Sequence, residues 1–194
     1  IIRSVMRKII LASGSPRRKE LLANLRVEFE VIPSDFDEWL DDSTPPEETA
    51  VVLGLGKARA VAKRYPEAIV IGSDTIVTIN DKQLAKAENE EEALGMWRLL
   101  AGKPNKVTTS VAVVCKAENY EFSTYDNTLV FFKPFEEEAV RQYLAQNTYQ
   151  DKAGAYAIQD HPHLIDHYEG DIETVIGLPT RLLIEPLSRF GYNQ

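Results

Sequence analysis

The sequence predicts an α/β fold in which helices flank a mixed central sheet, and three observations support this prediction. Short apolar runs of strand length alternate with longer helical segments along the 194 residues. Residues 106–116 and 121–132 alternate apolar and polar side chains, as two long paired strands do. No repeat, low-complexity tract or linker divides the chain, so residues 1–194 are expected to form a single domain.

The chain begins with a predicted strand, turn and helix. Residues 8–13 form an apolar run that stops at Gly14, which indicates a short strand. Ser15 is a favoured N-cap and Pro16 suits the first helical position, so a helix is expected to begin there. Leucines spaced along that helix give it one apolar face, and a second strand is expected at 29–33.

Later elements follow from their own start and stop signals. An acidic stretch at 34–46 leads into a helix over 47–65, which a proline ends. A helix over 88–101 is followed by a capping glycine, and one over 136–146 opens on acidic residues that favour a helix N-terminus. The remaining elements are expected as strands at 68–71, 76–79 and near 164–168, with an interruption at 72–75, and a final helix within 179–190.

Charge and composition restrict the partners. The net charge of −8 argues against binding to duplex nucleic acid, which needs a basic footprint. No apolar run approaches the length of a membrane span, so a membrane is not an expected partner either. The single cysteine, Cys115, fits a reducing, cytoplasmic compartment. No signal-peptide pattern is expected, and Met6 is a candidate natural start preceded by an extension at 1–5.

The first candidate site is the turn before the first helix. Its residues are Ser13-Gly14-Ser15-Pro16-Arg17-Arg18. A strand that runs into a helix N-terminus presents free N–H groups and binds anions. Arg17 and Arg18 oppose the helix dipole, a placement that makes sense if a phosphate occupies the site. The alternative is that both arginines are solvated surface residues.

The second candidate is Asp74, an acidic residue between two apolar strand segments. Burying it ionised without a partner is costly, so it either caps a bulge or faces a site as a metal ligand or general base. Upstream lies a run of five carboxylates, which is a solvated loop unless one of them meets Asp74 at a cation. These are Asp35, Asp37, Glu38, Asp41 and Asp42.

Three further features have less specific signals. Lys57 and Lys86 are surface lysines by default. The run from Asp151 to Gln159 permits a tight backbone path around its glycine and ends on an amide that can read the edge of a base. Three histidines lie in a loop without an accompanying cysteine, which argues against a zinc site at His161, His163 and His167.

Four motifs together resemble the Maf family of nucleotide pyrophosphatases, in the right order from about residue 8 to 190. The first runs Leu11-Ala12-Ser13-Gly14-Ser15-Pro16-Arg17-Arg18-Lys19-Glu20-Leu21-Leu22. The second is similar to the family's central motif and runs Ile71-Gly72-Ser73-Asp74-Thr75-Ile76-Val77. The third is the run from Asp151 to Gln159, and the fourth is Gly177-Leu178-Pro179.

The resemblance implies an elongated, two-lobed single domain related to the inosine-triphosphate pyrophosphatase fold, commonly dimeric. It implies cleavage of dTTP or UTP to the monophosphate and pyrophosphate, with Mg²⁺ or Mn²⁺ as cofactor. Asp74 matches the proton acceptor, and Asp74 and Glu38 are the implied metal ligands. Implied substrate-binding residues are Ser13, Arg17, Arg18, Lys57, Thr75, Lys86, Lys152 and Gln159, of which Arg17, Thr75 and Gln159 match positions that choose the base.

Some residues depart from the family pattern. Ala87 replaces a usual proline, Asn105 a common histidine, and Ala157 and Asp160 stand where the pyrimidine branch usually has glycines. These departures affect the expected base more than the reaction class. Two alternatives stay open: a nucleotide-binding regulator of cell division without turnover, and a phosphomonoesterase that removes the terminal phosphate.

Overall fold

A computed structural model describes residues 6–39, 42–160 and 162–192. The strands are β1 (Ile9–Leu11), β2 (Phe29–Val31), β3 (Ile69–Ile79), β4 (Lys82–Leu84), β5 (Pro104–Cys115), β6 (Tyr120–Phe132) and β7 (Ile165–Glu169). The α-helices are α1 (Pro16–Asn24), α2 (Pro46–Arg64), α3 (Glu90–Leu100), α4 (Glu137–Gln146), α5 (Ile172–Ile176) and α6 (Ile184–Ser188). Single 3-10 turns lie at Lys116–Glu118, Pro162–Leu164 and Thr180–Leu183.

The strands form one sheet in the order β2-β1-β3-β5-β6-β7, with β4 pairing beside β3. β1 runs parallel to β2 and β3, whereas β3, β5, β6 and β7 pair antiparallel. Helix α2 packs on one face, where Ala58 and Val61 meet Val70. Helices α1 and α6 contribute Leu22 and Leu187 to a cluster of their own. The predicted α/β class with a mixed sheet is confirmed.

The expected break at 72–75 is wrong, because β3 continues through it. Val70 to Thr78 pair with β5 without a gap, and Asp74 stands opposite Ser110. Polar residues remain in the strand because each has a partner. The Ser73 hydroxyl donates to the Gly177 carbonyl at 2.9 Å, and Asp74 binds a lysine.

Two glycines let α2 lie unusually close to the neighbouring strands β3 and β5. A Cβ added at Gly72 would lie 2.2 Å from the Gly54 carbonyl oxygen, and one at Gly54 would lie 2.3 Å from Ser110 Oγ. Neither contact is tolerated by a side chain, so both positions require glycine. Lys57 is one helical turn beyond Gly54, and this close packing carries it to Asp74 on β3.

Two short elements, strand β4 and helix α5, were not expected from the sequence. Asn80 and Asp81 both have a positive φ, 49° and 61°, and this tight turn pairs β4 with the end of β3. Helix α5 is five residues long, with Asp171 as its N-cap and Gly177 as its C-cap at φ 122°. Both are too short for hydrophobic periodicity to reveal.

The packing around β3 changes along its length. Ile69 and Ile71 belong to the same hydrophobic cluster as α1 and α6, whereas Val77 and Ile79 pack with α3 and α4. Asp74 lies between these two packed regions. Within the described ranges, no helix is long and apolar enough to cross a bilayer.

Candidate active site

A cavity of about 480 Å³ opens where the two packed regions meet. It is lined by all ten residues implied as site residues, although they span positions 13 to 159. They are Ser13, Arg17, Arg18, Glu38, Lys57, Asp74, Thr75, Lys86, Lys152 and Gln159. The turn before α1, helix α2, strand β3, the segment after β4 and the third motif thus converge on one space.

Lys57 joins two carboxylates in the wall of this cavity. Its Nζ donates to Asp74 Oδ1 at 2.6 Å and to Glu38 Oε1 at 2.7 Å. Lys86 Nζ donates to the other Glu38 oxygen at 2.9 Å. The side chains of Lys57 and Asp74 are each only 9% exposed, whereas those of Glu38 and Lys86 are about half exposed. The two carboxylates therefore converge on one point, where an ammonium nitrogen now sits.

The carboxyl groups of Asp74 and Glu38 have opposite pKa shifts. Burial raises the pKa of Asp74, although the charges of Lys57 and Arg18 favour its ionised form. Burial also opposes ionisation of Glu38, but its hydrogen bonds to Lys57 and Lys86 outweigh burial and lower its pKa to about 2. Glu38 is therefore ionised near neutral pH, and the direction of the two pKa shifts makes Asp74 the better proton acceptor of the two.

Arg18 connects three of the four motifs. Its Nε donates to the Gly177 carbonyl at 2.8 Å, its Nη1 to Ser13 Oγ at 3.3 Å and its Nη2 to Thr75 Oγ1 at 3.0 Å. Burial lowers the pKa of the Arg18 guanidinium, with Asp74 acting in the opposite direction. These three bonds fix its orientation in the cavity wall, so it is no solvated surface residue.

The Thr75 hydroxyl is already engaged. Thr109 Oγ1 donates its proton to the Thr174 carbonyl at 2.6 Å, so the 3.0 Å contact between the two threonines must use the Thr75 proton. Thr75 also accepts from Arg18. Its hydroxyl therefore has no donor left for a ligand and retains one acceptor lone pair.

The opposite wall carries an ion-paired group around Asp151. Asp151 accepts from Lys152 Nζ at 3.0 Å and from Arg17 Nη1 at 3.4 Å, and Lys152 Nζ also donates to the Thr148 carbonyl. Burial opposes ionisation of Asp151, but Lys152 and Arg17 outweigh it and lower the pKa of its carboxyl group. Arg17 and Asp151 thus join the first motif to the third.

The cavity is basic within an acidic protein. Among the described residues, its lining contains five cationic side chains, Arg17, Arg18, Lys57, Lys86 and Lys152, against three carboxylates, Glu38, Asp74 and Asp151. The whole chain carries a net charge of −8. Such a local excess of positive charge raises the local concentration of a small polyanion.

Gln159 ends a buried run and reaches the cavity. Residues 154–158 are all buried, and Gln159 is exposed at the lining. Within the described ranges, its carboxamide makes no hydrogen bond, so its donor and its acceptor both remain available.

Two contributors were not assigned a role from the sequence. Trp39 lines the cavity with 44% of its surface exposed, and its ring packs 5.9 Å from that of Phe36. The sequence feature that could have indicated a role for Trp39 is an aromatic residue in an acidic stretch, directly after Glu38. Gly177 does not line the cavity but orients Arg18 from behind, and no local pattern indicates that contact.

Other candidates lie outside the site. Of the acidic stretch, Glu38 reaches the lining, whereas Asp42 Oδ1 accepts from the Gln83 backbone at 2.9 Å, and Asp41 lies outside the described residues. His161 also lies outside them. His167 contacts Asp166 and stacks on Phe131. Within residues 6–39, 42–160 and 162–192, no group of three His, Cys, Asp or Glu side chains could hold a metal ion.

Three kinds of comparison with known proteins give consistent matches: a family model, individual relatives and a solved structure. The family model described as "Maf-like protein" matches residues 8–190. Proteins named dTTP/UTP pyrophosphatase from Bacillus mycoides and Bacillus cereus are 43% and 44% identical, covering 95% and 96% of this chain and 96% and 97% of theirs.

A solved HAM1 protein from Coxiella burnetii matches 95% of this chain and 100% of its own with a TM-score of 0.50. At 13% identity this likeness supports the fold alone, and it agrees with the fold class expected from the sequence. The family match spans nearly the whole chain, and the Bacillus relatives match it at similar coverage. This chain belongs to the Maf-like protein family.

Proposed function

We propose that this chain hydrolyses nucleoside triphosphates between the α and β phosphates, with dTTP and UTP preferred. The products are the nucleoside monophosphate and pyrophosphate. The observation that carries the proposal is the basic cavity, in which a buried carboxylate, Asp74, stands beside Lys57 and Arg18. The names of the Bacillus relatives support the same activity.

A divalent cation fits the carboxylates of this cavity. Asp74 and Glu38 already converge on the Lys57 ammonium at 2.6 and 2.7 Å, so their oxygens are placed to share one positive charge. Mg²⁺ is typically held by one or two carboxylates together with substrate phosphates, and the described residues offer no larger ligand set. When bound, Mg²⁺ or Mn²⁺ would neutralise phosphate charge and make a coordinated water more acidic.

The remaining steps are assigned to side chains. Asp74 accepts a proton from the attacking water, and its raised pKa makes it a stronger base than an ordinary aspartate. The water oxygen bonds to the α phosphorus, and the bond from that phosphorus to the bridging oxygen breaks. Pyrophosphate leaves with the bridging oxygen and the bonding electron pair. Lys57, Lys86 and Arg17 offset the negative charge of the phosphates.

Base preference is assigned to Gln159. Its carboxamide, which makes no hydrogen bond to the described residues, both donates and accepts, and so matches the carbonyl and imide edge that uracil and thymine share. Arg17 and Thr75 would shape the pocket, Thr75 through its remaining acceptor lone pair. The same proposal includes a cytoplasmic location, because Cys115 is buried and free. It also includes a homodimer, which the family resemblance implies.

A product-resolved screen tests the proposal. The purified chain is incubated with Mg²⁺ or Mn²⁺ and dTTP, UTP, CTP, ATP, GTP or 7-methyl-GTP in ¹⁸O-labelled water, and products are identified by ³¹P NMR and mass spectrometry. We expect pyrophosphate, with the label in the monophosphate. Release of inorganic phosphate alone would instead identify a phosphomonoesterase, and binding without turnover a regulator. Rapid cleavage of CTP or 7-methyl-GTP with poor cleavage of dTTP and UTP would overturn the base preference alone.

A further inference from the structure

The backbone just before Gln159 is held from the protein core at three successive residues. Trp97 Nε1, on α3, donates to the Ala155 carbonyl at 3.1 Å. The Tyr156 hydroxyl donates to Asn105 Oδ1, on β5, at 3.2 Å. The Ala157 N–H donates to the Tyr143 hydroxyl, on α4, at 3.0 Å. Side chains from three separate elements, α3, β5 and α4, thus hold the segment 155–157 in place.

The Asn105 contact is itself anchored. Asn105 is 1% exposed, and its Nδ2 donates to the Val130 carbonyl on β6 at 2.8 Å. Its amide therefore joins Tyr156 to the central sheet. The aromatic rings also pack on one another, with the Trp97 and Tyr143 centroids 5.2 Å apart and the Trp97 and Tyr156 centroids 6.2 Å apart.

Tyr143 is the anchor nearest to the base-reading residue. It is 1% exposed, and burial raises the pKa of its phenol to about 12, so the hydroxyl is neutral at physiological pH. Its oxygen accepts a hydrogen bond only two residues before Gln159. Two residues of backbone span at most about 7 Å, so the hydrogen bond at Ala157 holds the chain close to Gln159.

Tyr143 has no part in the triphosphate chemistry assigned above. Tyr143 does not line the cavity, yet it satisfies a buried backbone N–H in the segment that does. An unsatisfied buried N–H is costly, so loss of this acceptor moves the backbone toward another partner. The effect falls on the base end of the cavity rather than on Asp74.

We propose that Tyr143 is a positioning residue that sets the base preference through Gln159. The proposal rests on the proposed function, because it assumes a nucleotide in the cavity. It assigns a specificity role to a side chain that touches no substrate. Two readouts separate this role from a purely structural one: the ratio of kcat/KM between UTP and GTP, and its dependence on Gln159.

The test is a double-mutant cycle with Tyr143→Phe and Gln159→Ala. Tyr143→Phe should raise KM for dTTP and UTP about tenfold with kcat within about twofold, so the UTP to GTP ratio falls about tenfold. In the presence of Gln159→Ala, the same substitution should change the ratio less than about twofold, because coupled residues are not additive. Leu187→Ala, in the cluster with α1, is the control that loses stability with an unchanged ratio.

Several outcomes would overturn the proposal. One is an unchanged ratio in Tyr143→Phe, and another is an equal fall in the ratio with and without Gln159. If Tyr143→Phe does not fold, Trp97→Phe removes another anchor of the same segment, the bond to the Ala155 carbonyl, from a residue that does not line the cavity. It should lower the ratio in the same direction, and an unchanged ratio there refutes the proposal. Failure of the proposed function is distinguishable, because wild-type protein would then release no pyrophosphate from any triphosphate.

Discussion

The Lys57 ammonium lies 2.6 Å from Asp74 Oδ1 and 2.7 Å from Glu38 Oε1, and so links the two carboxylates. The contact depends on Gly54 and Gly72, which allow helix and strand backbones to approach more closely than any side chain would permit. One packing feature therefore joins a helix cation to a strand carboxylate inside a nucleotide-sized cavity. Its consequences for activity and stability are testable.

Asp74→Asn should reduce turnover at least about 100-fold while the protein stays folded. The amide is nearly isosteric and keeps a hydrogen bond to Lys57, but it is no base and a poor metal ligand. Stability should change by less than about 1 kcal/mol, because burial already opposes the Asp74 charge and offsets what Lys57 loses with its charged partner. Pyrophosphate release and urea unfolding measure the two effects. Near-wild-type turnover would remove Asp74 from the mechanism.

Lys57→Met and Lys86→Met form a matched pair. Lys57 is buried between two carboxylates, so its loss leaves them uncompensated and should cost about 3–5 kcal/mol. The Lys86 side chain is half exposed and pairs with one carboxylate among the described residues, Glu38, so its loss should cost less than about 1 kcal/mol. Urea unfolding of both variants at one pH gives the comparison. Equal losses of unfolding free energy in the two variants would contradict a stabilising role for the buried Lys57 between the two carboxylates.

Gln159→Ala should raise KM for dTTP and UTP by about 10–100-fold, because a buried base edge left unpaired costs about 1–3 kcal/mol. The effect on kcat should be small, since Gln159 is assigned to the base and makes no hydrogen bond to Lys57 or Asp74 among the described residues. Gln142→Ala, on the exposed face of α4, is the control. An unchanged KM would show that a residue other than Gln159 recognises the base.

Gly177→Ala should lower kcat/KM about tenfold although Gly177 does not line the cavity. The added methyl group displaces side chains that do line the cavity. The φ of Gly177 is 122°, and an added Cβ would lie 3.2 Å from Thr75 Oγ1 and 3.3 Å from Arg18 Nε. Gly191→Ala is the matched control, since Gly191 also has a positive φ, 86°, but faces Met6. Both should lose about 1–3 kcal/mol from backbone strain. Only Gly177→Ala should lose activity beyond its loss of folded protein.

Nucleotide binding should change the fluorescence of Trp39. The chain has two tryptophans, and Trp97 is 3% exposed whereas Trp39 is 44% exposed at the cavity lining. Titration of Asp74→Asn with UTP and Mg²⁺ avoids turnover and should shift or quench the Trp39 emission. The change should disappear in Trp39→Phe/Asp74→Asn. A signal that survives there would come from Trp97 and the core instead.

Much of the fold and the site could be predicted from local patterns. Ser15 does cap α1 by accepting from the Arg18 N–H, with Pro16 in the first turn, as residue preferences alone indicate. The long alternating segments do pair as β5 and β6. All ten implied site residues do line one cavity. Seven of them lie in the contiguous motifs, whereas Glu38, Lys57 and Lys86 lie outside those motifs and were implied by the family resemblance alone.

The sequence by itself determined the element types, the four motifs and the out-of-place carboxylate at Asp74. Tertiary structure alone decided that β3 runs unbroken, that Lys57 joins Glu38 to Asp74, and that Thr75 has no donor to spare. The reason is the range of the interactions. Capping and periodicity act over a few residues, whereas Arg18 and Gly177 are 159 positions apart, and only the sheet register and helix packing bring such partners within hydrogen-bond distance.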